Sequence, residues 1–191
     1  EEEAIAEAKR CLNCGICCEC LQCVLSCDAK AIDHFMQEKH LTIAVGSVVL
    51  APGFDLFDPA KLLEYGYGRY PNVISSLEFE RMLSPSGPYQ GHIVRPSDHR
   101  EPKKVAWIQC VGSRDERHGR GYCSAVCCMY ATKEAIIAKE HQPGLETTIF
   151  YLDFRAFGKG FDAYYERAKE DYGVRYVRSF VSRVIGLPLN D

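Results

Sequence analysis

Apolar residues in this 191-residue chain fall into blocks of differing period, and each block predicts an element. From Leu41 to Leu50 (LTIAVGSVVL) they run together and are largely β-branched, which predicts a buried strand. Ala51-Pro52-Gly53-Phe54 follows, a turn that continues neither a strand nor a helix. Glu1 to Arg10 predicts one or two helical turns, with Ile5 and Ala8 on one side and charges on the other. Between Phe57 and Pro102 the chain is rich in Pro, Gly, Tyr and Ser. Ser76 to Leu83 is the one helix predicted there, with Ser76 as its N-cap and Pro85-Ser86-Gly87-Pro88 as its stop. Val94 to Pro102 reads as an exposed connection.

The last third alternates regularly. Lys104 to Val111 predicts a strand and Cys123 to His141 a helix rich in Ala and Ile. Thr147 to Leu152 predicts a second strand. Phe161 to Tyr172 predicts an amphipathic helix closed by Gly173, and Val174 to Val177 a third strand. A βαβαβ order implies a parallel sheet with right-handed crossovers, so the expected class is α/β with a Rossmann-like unit. No internal repeat is visible.

Composition changes this picture little. Apolar residues make up 47% and charged residues 26%, ordinary values for a globular chain. The net charge is -3 and Lys and Arg form no stripe, which argues against nucleic acid. No apolar run has the length of a bilayer span, and the acidic start, Glu1-Glu2-Glu3, is unlike a signal peptide.

The cysteines change it a great deal. Of eleven, seven lie between Cys11 and Cys27 and four between Cys110 and Cys128. Such clustering points to metal centres in a reducing, cytoplasmic setting. Cys17-x2-Cys20-x2-Cys23-x3-Cys27 has the bacterial ferredoxin spacing for a [4Fe–4S] centre, in which short turns wrap successive thiolates round one cubane. Asp28 stands where proline is usual. Cys11-x2-Cys14-x2-Cys17 overlaps that run, so the ligand set stays open, and Cys18 breaks the spacing. Zinc is the alternative, since zinc modules are also built from C-x2-C pairs, though usually across a longer gap.

The second group, Cys110-x12-Cys123-x3-Cys127-Cys128, fits no common motif, but its place is informative. It lies at the junction of the first strand with the following helix, where a dinucleotide-binding unit carries G-x-G-x-x-G. The junction here reads Cys110-Val111-Gly112-Ser113-Arg114-Asp115. The reading is that a metal centre replaces the dinucleotide, with Cys123 and Cys127 on one helical face and thiolates favoured by the helix N-terminus. Four buried free cysteines packing strand against helix are the alternative. The six histidines are scattered and read as solvated. Lys133 faces either a cofactor or solvent. Asp153 stands where a ribose-binding acid would, but without the glycines it reads as structural.

Several stretches together resemble the A-subunit family of heterodisulfide reductases, including the related A subunit of the quinone-interacting membrane-bound oxidoreductase of sulfate reducers. They are Arg10-Cys11-Leu12-Asn13-Cys14-Gly15, Glu64 to Ile74 (EYGYGRYPNVI), Leu77 to Leu83 (LEFERML), Gly91 to Asp98 (GHIVRPSD), Ile108 to Asp115 (IQCVGSRD) and Cys127 to Ala135 (CCMYATKEA). The resemblance implies an FAD-binding, thioredoxin-reductase-like fold. It also implies a [4Fe–4S] cluster on Cys110, Cys123, Cys127 and Cys128, and Lys133 beside the flavin. Val49-Leu50-Ala51-Pro52-Gly53 becomes the counterpart of an FAD-contacting strand and turn, with Pro52 where threonine is usual. The chain then reads as an internal piece of the family's length, lacking the glycine-rich phosphate loop.

Three regions are thus expected: residues 1–40 as a ferredoxin-type iron–sulfur segment, 41–103 as part of an FAD domain plus an irregular connection, and 104–191 as the Rossmann-like unit carrying the second cluster. The implied role is an electron-transfer flavoprotein subunit, with two [4Fe–4S] centres on Cys11, Cys14, Cys17, Cys20, Cys23 and Cys27 and on the Cys110 group. Its partners would be other subunits of a redox complex. A non-redox zinc module is the alternative, and loss of the glycine motif at Cys110 argues against a flavin enzyme using NAD(P)H.

Overall fold

The computed structural model describes residues 21–187. These divide into two compact units, one ending at Leu56 and one beginning at Phe57. The expected helix over Glu1 to Arg10, and Cys11, Cys14, Cys17, Cys18 and Cys20, lie outside the described residues.

Among the described residues, the first unit contains one short helix, α1 (Gln22–Ser26), which ends at Cys27. The strand expected over Leu41 to Leu50 is not formed. Its side chains are open to solvent, with Val49 89% and Leu50 84% exposed. The reason is physical: a strand is completed by a neighbour that takes its N–H and C=O groups, and no described strand pairs with this segment. Apolar content alone cannot supply that neighbour.

The larger unit begins with irregular chain and the helix α2 (Ser76–Leu83). Its N-cap is Ser75 rather than Ser76. Ser75 Oγ accepts from Glu78 N at 3.3 Å, and the Glu78 carboxylate accepts from Ser75 N at 2.6 Å, a reciprocal capping box. Ser75→Ala should cost about 1 kcal/mol of stability. Urea denaturation with Ser75→Asn as the restoring variant checks it; an unchanged midpoint in Ser75→Ala would refute the capping role.

The sheet follows: β1 (Lys104–Ile108), helix α3 (Cys127–His141), β2 (Glu146–Tyr151), helix α4 (Phe161–Glu170) and β3 (Arg175–Arg178). The strands are parallel in the order β1-β2-β3, with Lys104 opposite Glu146 and Thr148 opposite Arg175. This is the expected βαβαβ order with shortened elements. β1 stops before Val111 because Cys110 takes φ +64, which turns the chain out of the sheet. α4 stops at Glu170, and Gly173 (φ +63) carries the left-handed turn into β3.

α3 starts at Cys127, not at Cys123. It lies against the sheet through Ala131, Ala135 and Ala138, each with no exposed surface, and these small side chains permit close approach. Ile149 on β2, Leu145 and Val174 complete the centre of the core. Phe79 of α2 meets Trp107 of β1 edge-on at 5.4 Å between ring centres. Among the described residues, no helix is long and apolar enough to cross a membrane.

Candidate metal centre

Three local devices bring the second cysteine group to the carboxyl end of β1. The first is the left-handed turn at Cys110. The second is Ser113, whose hydroxyl donates to Tyr122 O at 3.1 Å and accepts from Ser124 N at 3.0 Å. Arg114 N also donates to Tyr122 O, at 2.9 Å. These bonds fold the long loop back on itself and return Cys123 toward Cys110. The third is the first turn of α3, which presents Cys127 and Cys128, both buried. The one-face pairing of Cys123 with Cys127 on a helix is therefore corrected. Ser124 is tied to Ser113 and Ala125 sits at φ +62, so the helix cannot begin before Cys127.

The thiols sense one another. Burial raises Cys110, and the neighbouring Cys127 raises it further, while the Arg114 guanidinium pulls it down. The Cys127 sulfur is drawn toward thiolate by its bond from Cys128, helped by the Ser124 hydroxyl, and Cys128 is held as the thiol. The Ala125 N–H points at Cys123 Sγ at 3.3 Å, and Cys128 Sγ lies 4.0 Å from Asp153 O. Four soft sulfurs from a strand end, a loop and a helix start, with N–H groups among them, are a donor set suited to an iron–sulfur centre. The cage is not closed: among the described residues, no three Cys, His, Asp or Glu side chains stand together as a metal-holding group.

Of the first cysteine group, Cys23 and Cys27 are described. Cys23 is exposed on α1 with His34 Nε2 at 3.7 Å from its sulfur, and Cys27 Sγ accepts from Ala31 N at 3.4 Å. Ala51, Pro52 and Gly53 are exposed in irregular chain.

Lys133 is neither free nor buried. It pairs with Glu80 of α2 at 2.7 Å and lines an open groove of about 540 Å³ with Met129, Tyr130, Lys159, Phe161 and Tyr164. Next to it, Glu134 is only 2% exposed. It accepts from Trp107 Nε1 at 2.8 Å and, on its other oxygen, from the Ser76 hydroxyl. Burial outweighs both bonds and raises its pKa to about 7.

Sequence reasoning missed two features. One is Glu134. The other is the pairing of Asp153 with Arg114 at 3.0 Å and Arg178 at 3.1 Å. Their partners are distant along the chain, so no local signal marks them.

No family model matches this chain. Curated relatives do. It is 48% identical over 172 residues to the A subunit of an H(2):CoB-CoM heterodisulfide,ferredoxin reductase of Methanothermobacter marburgensis, covering 90% of this chain and 26% of that protein. It is 51% identical over 150 residues to the A subunit of the H(2)/formate:CoB-CoM heterodisulfide,ferredoxin reductase of Methanococcus maripaludis, covering 78% of this chain and 23% of that one. The iron-sulfur A subunit of a CoB--CoM heterodisulfide reductase of Methanocaldococcus jannaschii is 46% identical over 168 residues, covering 88% of this chain and 25% of that protein. The chain thus spans about a quarter of the length of these relatives.

Proposed function

The chain belongs to the A-subunit family of heterodisulfide reductases, and we propose on that premise that it is the electron-relay stretch of an iron–sulfur flavoprotein subunit. Cys110, Cys123, Cys127 and Cys128 would hold one [4Fe–4S] centre, and the cysteines from Cys11 to Cys27 a ferredoxin-type one. Such a centre supplies a one-electron store. The observation that supports it is that Cys110 follows β1 and Cys127 and Cys128 open α3, with Cys110 in electrostatic range of Cys123 and Cys127 beside the carboxyl end of a parallel strand, where Rossmann-like units bind their ligands.

The chain's own residues would do the following. Cys127 and Cys128, both buried against the core, would keep water from one side of the centre. The Ala125 N–H stabilises negative charge on the Cys123 sulfur. The groove beside α3 suits a flat, partly anionic cofactor such as FAD: aromatic rings of Tyr130, Phe161 and Tyr164 line it, and Lys133 and Lys159 stand at its edge. Glu80 holds Lys133 in place there. The other subunits of a heterodisulfide-reductase-like complex in the cytoplasm would donate and accept the electrons.

The test is one anaerobic measurement of iron, sulfide, zinc and flavin per chain. Iron and sulfide in equal amounts are expected, and the Cys127→Ala/Cys128→Ala variant should lose about four of each. Zinc-loaded, colourless protein would sink this reading in favour of a structural zinc module.

A further inference from the structure

We infer that Arg114, Asp153 and Arg178 form a charge clamp that sets the reduction potential of the centre held by the Cys110 group. The inference rests on the cluster reading above and concerns residues that reading does not use. Arg114 Nη1 donates to one carboxylate oxygen of Asp153 at 3.0 Å, and Arg178 Nη2 to the other at 3.1 Å. Arg178 Nε is further fixed by Leu152 O at 3.0 Å. The three side chains line a cavity of about 370 Å³ at the carboxyl end of the sheet, together with Ser179 and Phe180. Two guanidiniums share one carboxylate, so the clamp carries a surplus positive charge.

The clamp is built against the cysteines. Asp153 is the residue whose carbonyl faces Cys128 Sγ. The Arg114 guanidinium lies within range of both Cys110 and Cys123, and each thiolate in turn favours its charged form. Its side chain is 28% exposed against 73% for Arg178, so its field is the less screened of the two. An electron entering a thiolate-bound centre adds negative charge. A fixed cation nearby favours the reduced state, and an anion opposes it. Asp153 therefore has two opposed effects: it orients Arg114, and it cancels part of its field.

The experiment is an anaerobic, EPR-monitored titration with dithionite of the chain carrying its iron and sulfide. The relevant signal is the one that disappears in Cys127→Ala/Cys128→Ala. At the wild-type midpoint, Arg114→Gln should lower the reduced-to-oxidised ratio about tenfold, equivalent to ~59 mV for a one-electron couple. Arg178→Gln should lower it about threefold, because Arg178 is the more exposed and more screened cation, and Arg114→Lys, which keeps the charge, should stay within about threefold of wild type. Asp153→Asn should move the ratio the other way, because two cations remain without their anion.

Opposite signs for Arg114→Gln and Asp153→Asn support the clamp, since a purely structural role would not follow the sign of the charge removed. An unchanged ratio in Arg114→Gln with iron retained overturns it, as do shifts of the same sign in the two variants. If Arg114→Gln loses its iron, Asp153→Asn and Arg178→Gln decide by the same signs. Wild-type chain without iron and sulfide overturns the cluster reading itself, and that result is read from metal analysis before any titration.

Discussion

Replacing Glu134 by glutamine should remove most of the pH dependence of this protein's stability between about pH 5 and pH 8, and should stabilise it at the upper end by up to ~3 kcal/mol. Glu134 is buried in the middle of α3, and burial raises its pKa from 4.5 to about 7. Between those values the folded protein holds a proton that the unfolded chain has released. Stability is therefore full below the unfolded value, falls as pH rises, and levels off once the folded carboxyl has ionised. A neutral amide has no such penalty. In Glu134→Gln the amide oxygen can still accept from Trp107 Nε1, and the amide nitrogen can donate to Ser76 Oγ, which retains both links to β1 and α2. Urea denaturation at several pH values measures this. A wild-type stability that stays flat or rises over that window would refute it.

Trp107 gives the second large effect, by two routes that can be separated. Trp107→Ala removes a buried ring that packs edge-on against Phe79 and should cost ~3–5 kcal/mol at any pH in this range. Trp107→Phe keeps a ring but removes the N–H that serves Glu134 Oε2. It should cost about 1–3 kcal/mol near pH 8, where the carboxylate is charged, and less near pH 5, where it is protonated. In the Glu134→Gln background the cost of Trp107→Phe should no longer depend on pH. A double-mutant cycle at both pH values reads the coupling directly. Equal stability of Trp107→Phe and wild type near pH 8 would show that the indole hydrogen bond carries nothing.

The order β1-α3-β2-α4-β3 is legible in the chain alone because each element carries its own signal. The β-branched runs at Lys104 to Ile108 and Glu146 to Tyr151 are short, and Gly173 punctuates the end of α4. Element boundaries were less legible. The helix pattern extends back to Cys123, but a hydroxyl eleven residues away, on Ser113, holds Ser124 outside the helix. Ser75 and Ser76 are equally good caps by type. What decides between them is that Ser76 instead reaches across to Glu134.

For the site, the sequence by itself determined the chemistry: which sulfurs there are, their spacing, and the absence of a glycine loop at the strand–helix junction. Those are local properties of the chain, and so is the resemblance they carry. Only the tertiary structure decided the surroundings of that chemistry. It left Leu41 to Leu50 exposed, because a strand requires a partner that no local pattern contains. It buried Glu134 while leaving Glu140 on the same helix exposed, because burial depends on what packs against each face. It set Arg114 and Arg178 on Asp153, residues 39 and 25 positions apart, because parallel strands bring their carboxyl ends together. Composition supplies the sulfurs; the fold chooses the charges and the protons that surround them.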